Sequence, residues 1–184
     1  MTHDRKDGNV ADKNSARTPK TLFEKLDARW KFGLDACADD ENHLCDIYFT
    51  KEMDALEMPW GCVCINNMRM PAYCNCPYDN PEPFIKKGFE EAEHNDAVVV
   101  MLLPADTSTK AYHEYILGVS YDDLGNPVPN GKGAAEIIFI IPRVRFNNPD
   151  GTAMQSPKFG SIVVEFNKEK RNRNGLILSS MRWK

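Results

Sequence analysis

Two nearly unbroken apolar runs constrain this chain more than anything else in it. Residues 97–103 run from Ala97 to Leu103 with three valines in a row, and residues 134–141 carry Ile137, Ile138, Phe139, Ile140 and Ile141. Neither run alternates with polar residues. Each is therefore expected as a strand buried on both faces, the pattern of a parallel sheet covered by helices. Residues 161–166 read as a late strand. Helical spacing separates these runs. Leu22, Phe23, Leu26 and Trp30 recur one turn apart after Thr18, a suitable N-cap, and Pro19, a suitable first-turn residue. Phe84, Ile85, Phe89 and Ala92 form the apolar side of a helix opened by Pro83, and residues 107–117 read as another helix. Strands alternating with helices predict an α/β sheet with helices on both faces.

Shorter pieces fill the gaps. Residues 30–34, 47–49, 62–65 and 72–75 read as short strands, and residues 121–132 and 146–160 as loops. Residues 1–17 are almost devoid of apolar side chains and are expected to be disordered. Residues 18–167 then form the single domain, followed by a basic tail at 168–184. A length of 184 residues suits one compact core. No apolar run is long enough to span a membrane, and the first residues lack a signal-peptide core, so the expected location is the cytoplasm.

In an α/β sheet, ligands bind beyond the carboxyl ends of the strands. The segments to inspect are therefore Asp35-Ala36-Cys37-Ala38, Asn75-Cys76-Pro77-Tyr78, Pro104 to Thr107, and Pro142-Arg143. The first puts an acidic residue at a strand end, followed by small side chains that admit a bulky ligand. The second offers two acceptors for an exocyclic amine, the Asn75 side-chain oxygen and the Cys76 carbonyl, with Tyr78 able to stack on a base. Alone, that tetrapeptide reads equally as a surface turn. Asp54, ahead of Trp60, offers a second carboxylate.

The order of these pieces changes their meaning. Thr18-Pro19 with Leu22-Phe23, Leu34 to Ala38, Asn42, Cys45, Asp54 to Leu56, Trp60-Gly61, Cys74 to Tyr78, the 99–105 run and Ser161 ahead of Ile162 together resemble the phage DNA N-6-adenine methyltransferase (Dam-type) family. The resemblance implies a Rossmann-like methyltransferase fold with a mixed, mostly parallel sheet. It implies S-adenosylmethionine over Asp35, Ala36, Cys37 and Ala38, with Asp54 near its adenine and Thr18, Pro19 and Phe23 near its methionine end. It implies double-stranded DNA as partner, with the target adenine flipped out because its amine is unreachable inside the stack. Asn75 and the Cys76 carbonyl would orient N6, with Pro77 shaping the turn and Tyr78 stacking. The chain departs from the family pattern at Cys76, where a first proline is expected. The backbone acceptor survives that change, while the turn loses stiffness. The stretch 61–73 is longer than the family pattern and is expected as an insertion touching DNA. Two other readings stay open: a non-catalytic binding relative of the fold, and a methyltransferase acting on RNA or on a protein side-chain amide.

The net charge of −4 argues against a protein that coats DNA non-specifically. DNA binding then needs local positive charge. Arg143 and Arg145 supply it after a buried strand, with Lys110 and His113 in the segment after residue 107. The run Lys168, Lys170, Arg171 and Arg173 is the other concentration, more simply read as a solvated end. Loops 121–132 and 147–160 are expected to carry sequence specificity. Six cysteines all fall within the first 76 residues. Cys62 and Cys64 with Cys74 and Cys76 suggest a thiolate set, but one-residue spacing is poor for zinc, so no metal is expected. Oligomeric state is open between monomer and homodimer.

Overall fold

The computed structural model describes residues 16–154 and 159–184. The expectation of disorder over 1–17 falls outside those residues up to position 15. Arg17 is held in place, exchanging backbone hydrogen bonds of 2.9 and 3.0 Å with Asn147.

The strands are β1 (Leu34–Asp35), β2 (Ile47–Tyr48), β3 (Cys64–Ile65), β4 (Met68–Arg69), β5 (Ala72–Cys74), β6 (Val99–Pro104), β7 (Val119–Tyr121), β8 (Pro127–Pro129), β9 (Glu136–Ile141), β10 (Ser161–Phe166) and β11 (Ile177–Arg182). The helices are α1 (Lys20–Trp30), α2 (Glu82–Asn95) and α3 (Lys168–Asn174). Seven strands make one sheet in the order β11-β9-β10-β6-β5-β1-β2. Pairs β1–β2, β1–β5, β5–β6 and β9–β11 are parallel, while β10 is antiparallel to both neighbours. The reason lies in the connections. A helix carries the chain back between β5 and β6, whereas among the described residues none lies between β9 and β10, which pair as antiparallel neighbours.

Period-two alternation splits the apolar runs between two cores. Val99, Met101 and Leu103 face Ile85 and Ala92 of α2. Val100 and Leu102 face Leu22, Phe23 and Leu26 of α1. Helices therefore cover both faces of β6, as its unbroken run requires; β9, expected to be equally buried, is not, because the face that starts with buried Ile137 is uncovered further along and leaves Phe139 and Ile141 exposed. Gly88 of α2 lets that helix approach the sheet, since a Cβ there would sit 3.0 Å from the Met101 sulfur and 3.2 Å from Val99.

Several elements differ from expectation. Pro19, not Thr18, takes the N-cap position of α1, because the Thr18 hydroxyl is engaged elsewhere. The helix continues to Trp30 and stops at Lys31, whose φ of 58° ends it in a left-handed turn, leaving only Leu34–Asp35 as strand. The expected helix at 107–117 is a π-helical stretch, Tyr112–Ile116, packed on α2 through the rings of Tyr115 and Phe89. Residues 62–65 contribute to a small hairpin, β3–β4, and the loop 121–132 contributes to another, β7–β8.

The largest correction concerns the basic end. Residues 168–184 are not a solvated tail. Asn167 caps α3 through its side chain, and β11 then pairs with β9 along six residues. Trp183 is buried, donating its indole N–H to the Pro142 carbonyl at 2.8 Å. The positive charges of this segment are used internally. Lys170 pairs with Glu136 and Glu165 at 2.5 and 2.6 Å, and Arg171 pairs with buried Glu93. Burial alone would raise the Glu136 carboxyl, but hydrogen bonds from Arg29, Lys170 and Ser179 hold it down at about 2. Among the described residues no helix is long and apolar enough to cross a membrane.

Candidate active site

From β1 the chain goes to β2 on one side and returns to β5 on the other. The connections therefore diverge between β1 and β5. That is the switch point of an open α/β sheet, where a crevice forms outside the carboxyl ends. Its two lips are Asp35 to Ala38 and Asn75 to Tyr78, the two segments singled out from the sequence.

The lips are stitched together. Ala36 N–H donates to the Tyr73 carbonyl at 2.8 Å, and the Sγ atoms of Cys37 and Cys74 are 3.4 Å apart. Ala38 N–H donates to the Phe49 carbonyl, tying the first lip to the end of β2. Asp35 is buried, and its two oxygens accept from the N–H groups of Cys37 at 3.4 Å and Leu44 at 3.1 Å. Burial pushes its carboxyl up to about 6, with those backbone donors pulling the other way. Residues 42–44 thus fold over Asp35. His43 beside them bonds the Cys45 carbonyl and stacks on Tyr48.

On the second lip, Asn75 Nδ2 donates to the Ala16 carbonyl at 3.3 Å. Its Oδ1 is a buried acceptor with no hydrogen-bond partner among the described residues. Cys76 is buried in the core beneath the loop. Tyr78 is half-buried, its hydroxyl donating to the Leu102 carbonyl at 3.4 Å and its ring edge-on to Phe146 at 5.6 Å. Tyr78 therefore has a fixed place rather than a free turn position.

A cleft of about 430 Å³ lies beside the lips, lined among others by Thr18, Phe23, Asn42, Leu44 and Asn147. Two expected cofactor residues, Thr18 and Phe23, share it, while Pro19 is buried next to them. Asp54 is not among its lining. It is exposed, past the end of β2, at φ 51° after a 3-10 turn. A second cleft of about 360 Å³, lined by Cys62, Arg69 and His94, lies at the opposite edge of the sheet beside the end of α2.

Arg143 and Arg145 are exposed just past β9, alternating with buried Val144 and Phe146. Phe146 touches Tyr78, so this strip borders the crevice. Lys110 and His113 follow β6 at the same edge. Lys110 faces Glu114 at 3.7 Å, and the His113 ring bonds the Thr107 carbonyl at 2.9 Å. By contrast, the base of the β7–β8 hairpin is fixed near the other edge, where the Gly133 carbonyl accepts from Arg171. The β3–β4 hairpin also sits away from Asn75, with Arg69 bonded to the Asn95 carbonyl at the end of α2. Of the two expected specificity loops, 121–132 and 147–160, the second begins beside Phe146, and its Asn147, Asn148 and Gly151 line the cleft of about 430 Å³.

The four-cysteine set does not assemble. Cys62 and Cys64 are exposed on the hairpin, while Cys74 and Cys76 are buried under Asn75. Among the described residues no three metal-ligating side chains come together. Sequence reasoning gave no role to Tyr73. It is buried in β5 two residues before Asn75, and its partner Thr18 marks it out.

A family model described as DNA N-6-adenine-methyltransferase (Dam) matches residues 6–122, which include both lips. The chain belongs to this family. It is 33% identical over 162 residues to the DNA N-6-adenine-methyltransferase of Haemophilus phage HP1 (strain HP1c1), covering 85% of this chain and 80% of that one. It is 37% identical over 98 residues to the DNA N-6-adenine-methyltransferase of Escherichia phage T1, covering 53% of this chain. The match spans only 38% of the length of the phage T1 protein. No solved structure matches the chain. The seven-stranded sheet with one antiparallel strand is consistent with the methyltransferase fold expected of the family.

Proposed function

We propose that the protein transfers a methyl group from S-adenosylmethionine to N6 of adenine in double-stranded DNA. The observation that carries this is the Asn75 amide. Its Oδ1 is buried and unpartnered among the described residues, on the loop that follows β5. A buried acceptor left unmade costs about 1–3 kcal/mol, so it is there for a donor that arrives with the substrate. An exocyclic amine is such a donor.

S-adenosylmethionine supplies an electrophilic methyl on a sulfonium centre. The residues of the cleft suit its size and mixed polarity: Phe23 and Leu44 offer apolar surface, and Thr18 and Asn42 offer hydrogen bonds. Asp35 lies beneath residues 42–44, placing negative charge near a cationic cofactor.

Asn75 Oδ1 would take one N6 proton and the Cys76 carbonyl the other. Holding both protons turns the nitrogen lone pair toward the methyl. As the N–C bond forms and the S–C bond breaks, positive charge grows on N6, and the same two oxygens stabilise it. One N6 proton then passes to solvent water, leaving N6-methyladenine and S-adenosylhomocysteine, and no covalent enzyme intermediate is needed. Most of the rate gain is positioning. Tyr78, held by Phe146, would stack on the flipped ring, an interaction worth about 1–3 kcal/mol per base. Arg145, Arg143, Lys110 and His113 flank the crevice and would hold phosphates.

Incubating the purified protein with methyl-labelled S-adenosylmethionine and unmethylated duplex DNA tests this. Label should enter adenine N6 in DNA, and Asn75→Ala should abolish transfer while keeping the circular dichroism spectrum. No label in DNA, or undiminished transfer by Asn75→Ala, would refute it.

A further inference from the structure

Asn75 does not choose its orientation alone. Its Nδ2 donates to the Ala16 carbonyl, and this fixes which end of the amide faces the crevice. Turning the amide over would set Oδ1 against the Ala16 oxygen, acceptor against acceptor. The Ala16 carbonyl thus dictates that the free group is an acceptor.

Ala16 is held through its neighbours. The segment 16–18 is extended, so alternate residues face opposite ways. Arg17 faces outward and exchanges two backbone hydrogen bonds with Asn147, while its guanidinium donates to the Pro149 carbonyl at 3.0 Å. Thr18 faces the sheet, and its hydroxyl meets the Tyr73 hydroxyl at 2.9 Å. Tyr73 is fully buried on β5, clamped between the rings of Phe23 at 5.2 Å and Phe32 at 5.3 Å. Tyr73 and Asn75 belong to one extended stretch, two residues apart. The segment therefore makes two rungs with it, Thr18 to Tyr73 and Ala16 to Asn75.

We propose that Tyr73 is a positioning residue for methyl transfer: its hydroxyl, through Thr18, locks the segment 16–18 so that the Ala16 carbonyl presents Asn75 Oδ1 to the target amine. This rests on the methyltransferase reading above for its kinetic consequence, but not for its geometry. It also links the two halves of the site. Thr18, Phe23 and Asn147 line the cleft, so the segment that orients the base acceptor is also a wall of the cofactor's space.

The test is Tyr73→Phe, which keeps the ring and removes only the hydroxyl, in a cycle with Thr18→Val and with Thr18→Ser as the conservative control. Misplacing a reacting group can cost up to about a hundredfold, so kcat should fall roughly ten- to a hundredfold in Tyr73→Phe. KM for DNA and cofactor affinity should stay at wild-type levels. Thr18→Val should cost kcat similarly, the double variant should be no worse than either single, and Thr18→Ser, which keeps a hydroxyl, should lose clearly less kcat than Thr18→Val. The side-chain amide signals of Asn75, followed by nuclear magnetic resonance with nitrogen-15 labelling, should move in Tyr73→Phe and Thr18→Val and return in Thr18→Ser. Wild-type kcat in Tyr73→Phe, or unmoved Asn75 signals, overturns the proposal. Losses that simply add in the double variant, or a Thr18→Ser that behaves like Thr18→Val, also overturn it, since both mean ordinary structural damage. If the wild type transfers no methyl at all, the functional reading fails, and the amide signals alone still decide whether Tyr73 orients Asn75.

Discussion

The Sγ atoms of Cys37 and Cys74 lie 3.4 Å apart, so the loop after β1 and the strand leading to Asn75 touch through their thiols. Cys74 is raised well above an ordinary thiol by burial first and then by its contacts with Cys37 and Cys76. The Cys74 contact pulls Cys37 down, but burial and nearby Cys76 and Asp35 leave it raised. Burial also pushes Cys45 up to about 12. Thiolates are the reactive form, so these cysteines should be inert in the native protein. Iodoacetamide near neutral pH should modify exposed Cys62 and Cys64 first, with Cys37, Cys45, Cys74 and Cys76 reacting only on unfolding. Peptide mass spectrometry over a time course reads this directly. Early labelling of Cys74 would contradict the packing beneath Asn75.

Acid should act on stability in two windows of opposite sign. Asp35 is raised to about 6 from an ordinary value of 3.8, so the folded state binds its proton more tightly than the unfolded one. That stabilisation is fully present below the unfolded value and is lost as pH rises through about 6. Glu136 is lowered to about 2 from 4.5, so its stabilisation is present above 4.5 and is lost as pH falls toward 2. Asp35→Asn should flatten the first slope and leave the second. Glu136→Gln should flatten the second and cost roughly 1.5–3 kcal/mol near neutral pH, because Arg29 and Lys170 lose a charged acceptor. Urea melts across the pH range measure both.

Cofactor affinity should follow Asp35 in the reverse sense. A cationic cofactor over the Asp35 lip favours the ionised carboxylate. Affinity for S-adenosylmethionine should rise as pH increases through about 6 and level off above it. Titration calorimetry at several pH values checks this, with Asp35→Asn expected to bind weakly and without that pH step.

DNA affinity should divide the basic residues by edge. Arg145→Ala, and Arg143→Ala or Lys110→Ala beside it, should each lower the steepness of the salt dependence by about one phosphate contact. Arg173→Ala and Lys168→Ala should leave DNA binding alone. Arg173 pairs with Glu169, and Lys168 donates to the Glu93 carbonyl, at the far edge of the sheet. Filter binding at several salt concentrations separates the two groups.

The centre of the sheet was legible because a strand buried on both faces has no polar interruption: Val99 to Leu103 are apolar and buried without a break. The lips of the crevice followed from the strand-end rule, and Asn75 from the chemistry of its amide. The hidden parts share a physical cause. β11 is an edge strand whose outer residues are exposed, so its weak alternation was overridden by the basic run before it. That run looked solvated because two of its partners, Glu136 and Glu93, lie 34 and 78 positions away in the sequence. Tyr73 carried no signal because its hydroxyl partner lies 55 positions away. The hairpins β3–β4 and β7–β8 are two and three residues to a strand, too short to show a period.

Nucleoside mass spectrometry of DNA from cells expressing the protein bears most directly on the central claim. N6-methyladenine should appear with the wild-type chain in a host lacking its own adenine methylation, and should be absent with Asn75→Ala expressed to the same level. N6-methyladenine missing from DNA despite a folded, cofactor-binding protein, or present equally with Asn75→Ala, would contradict methyl transfer at the Asn75 crevice.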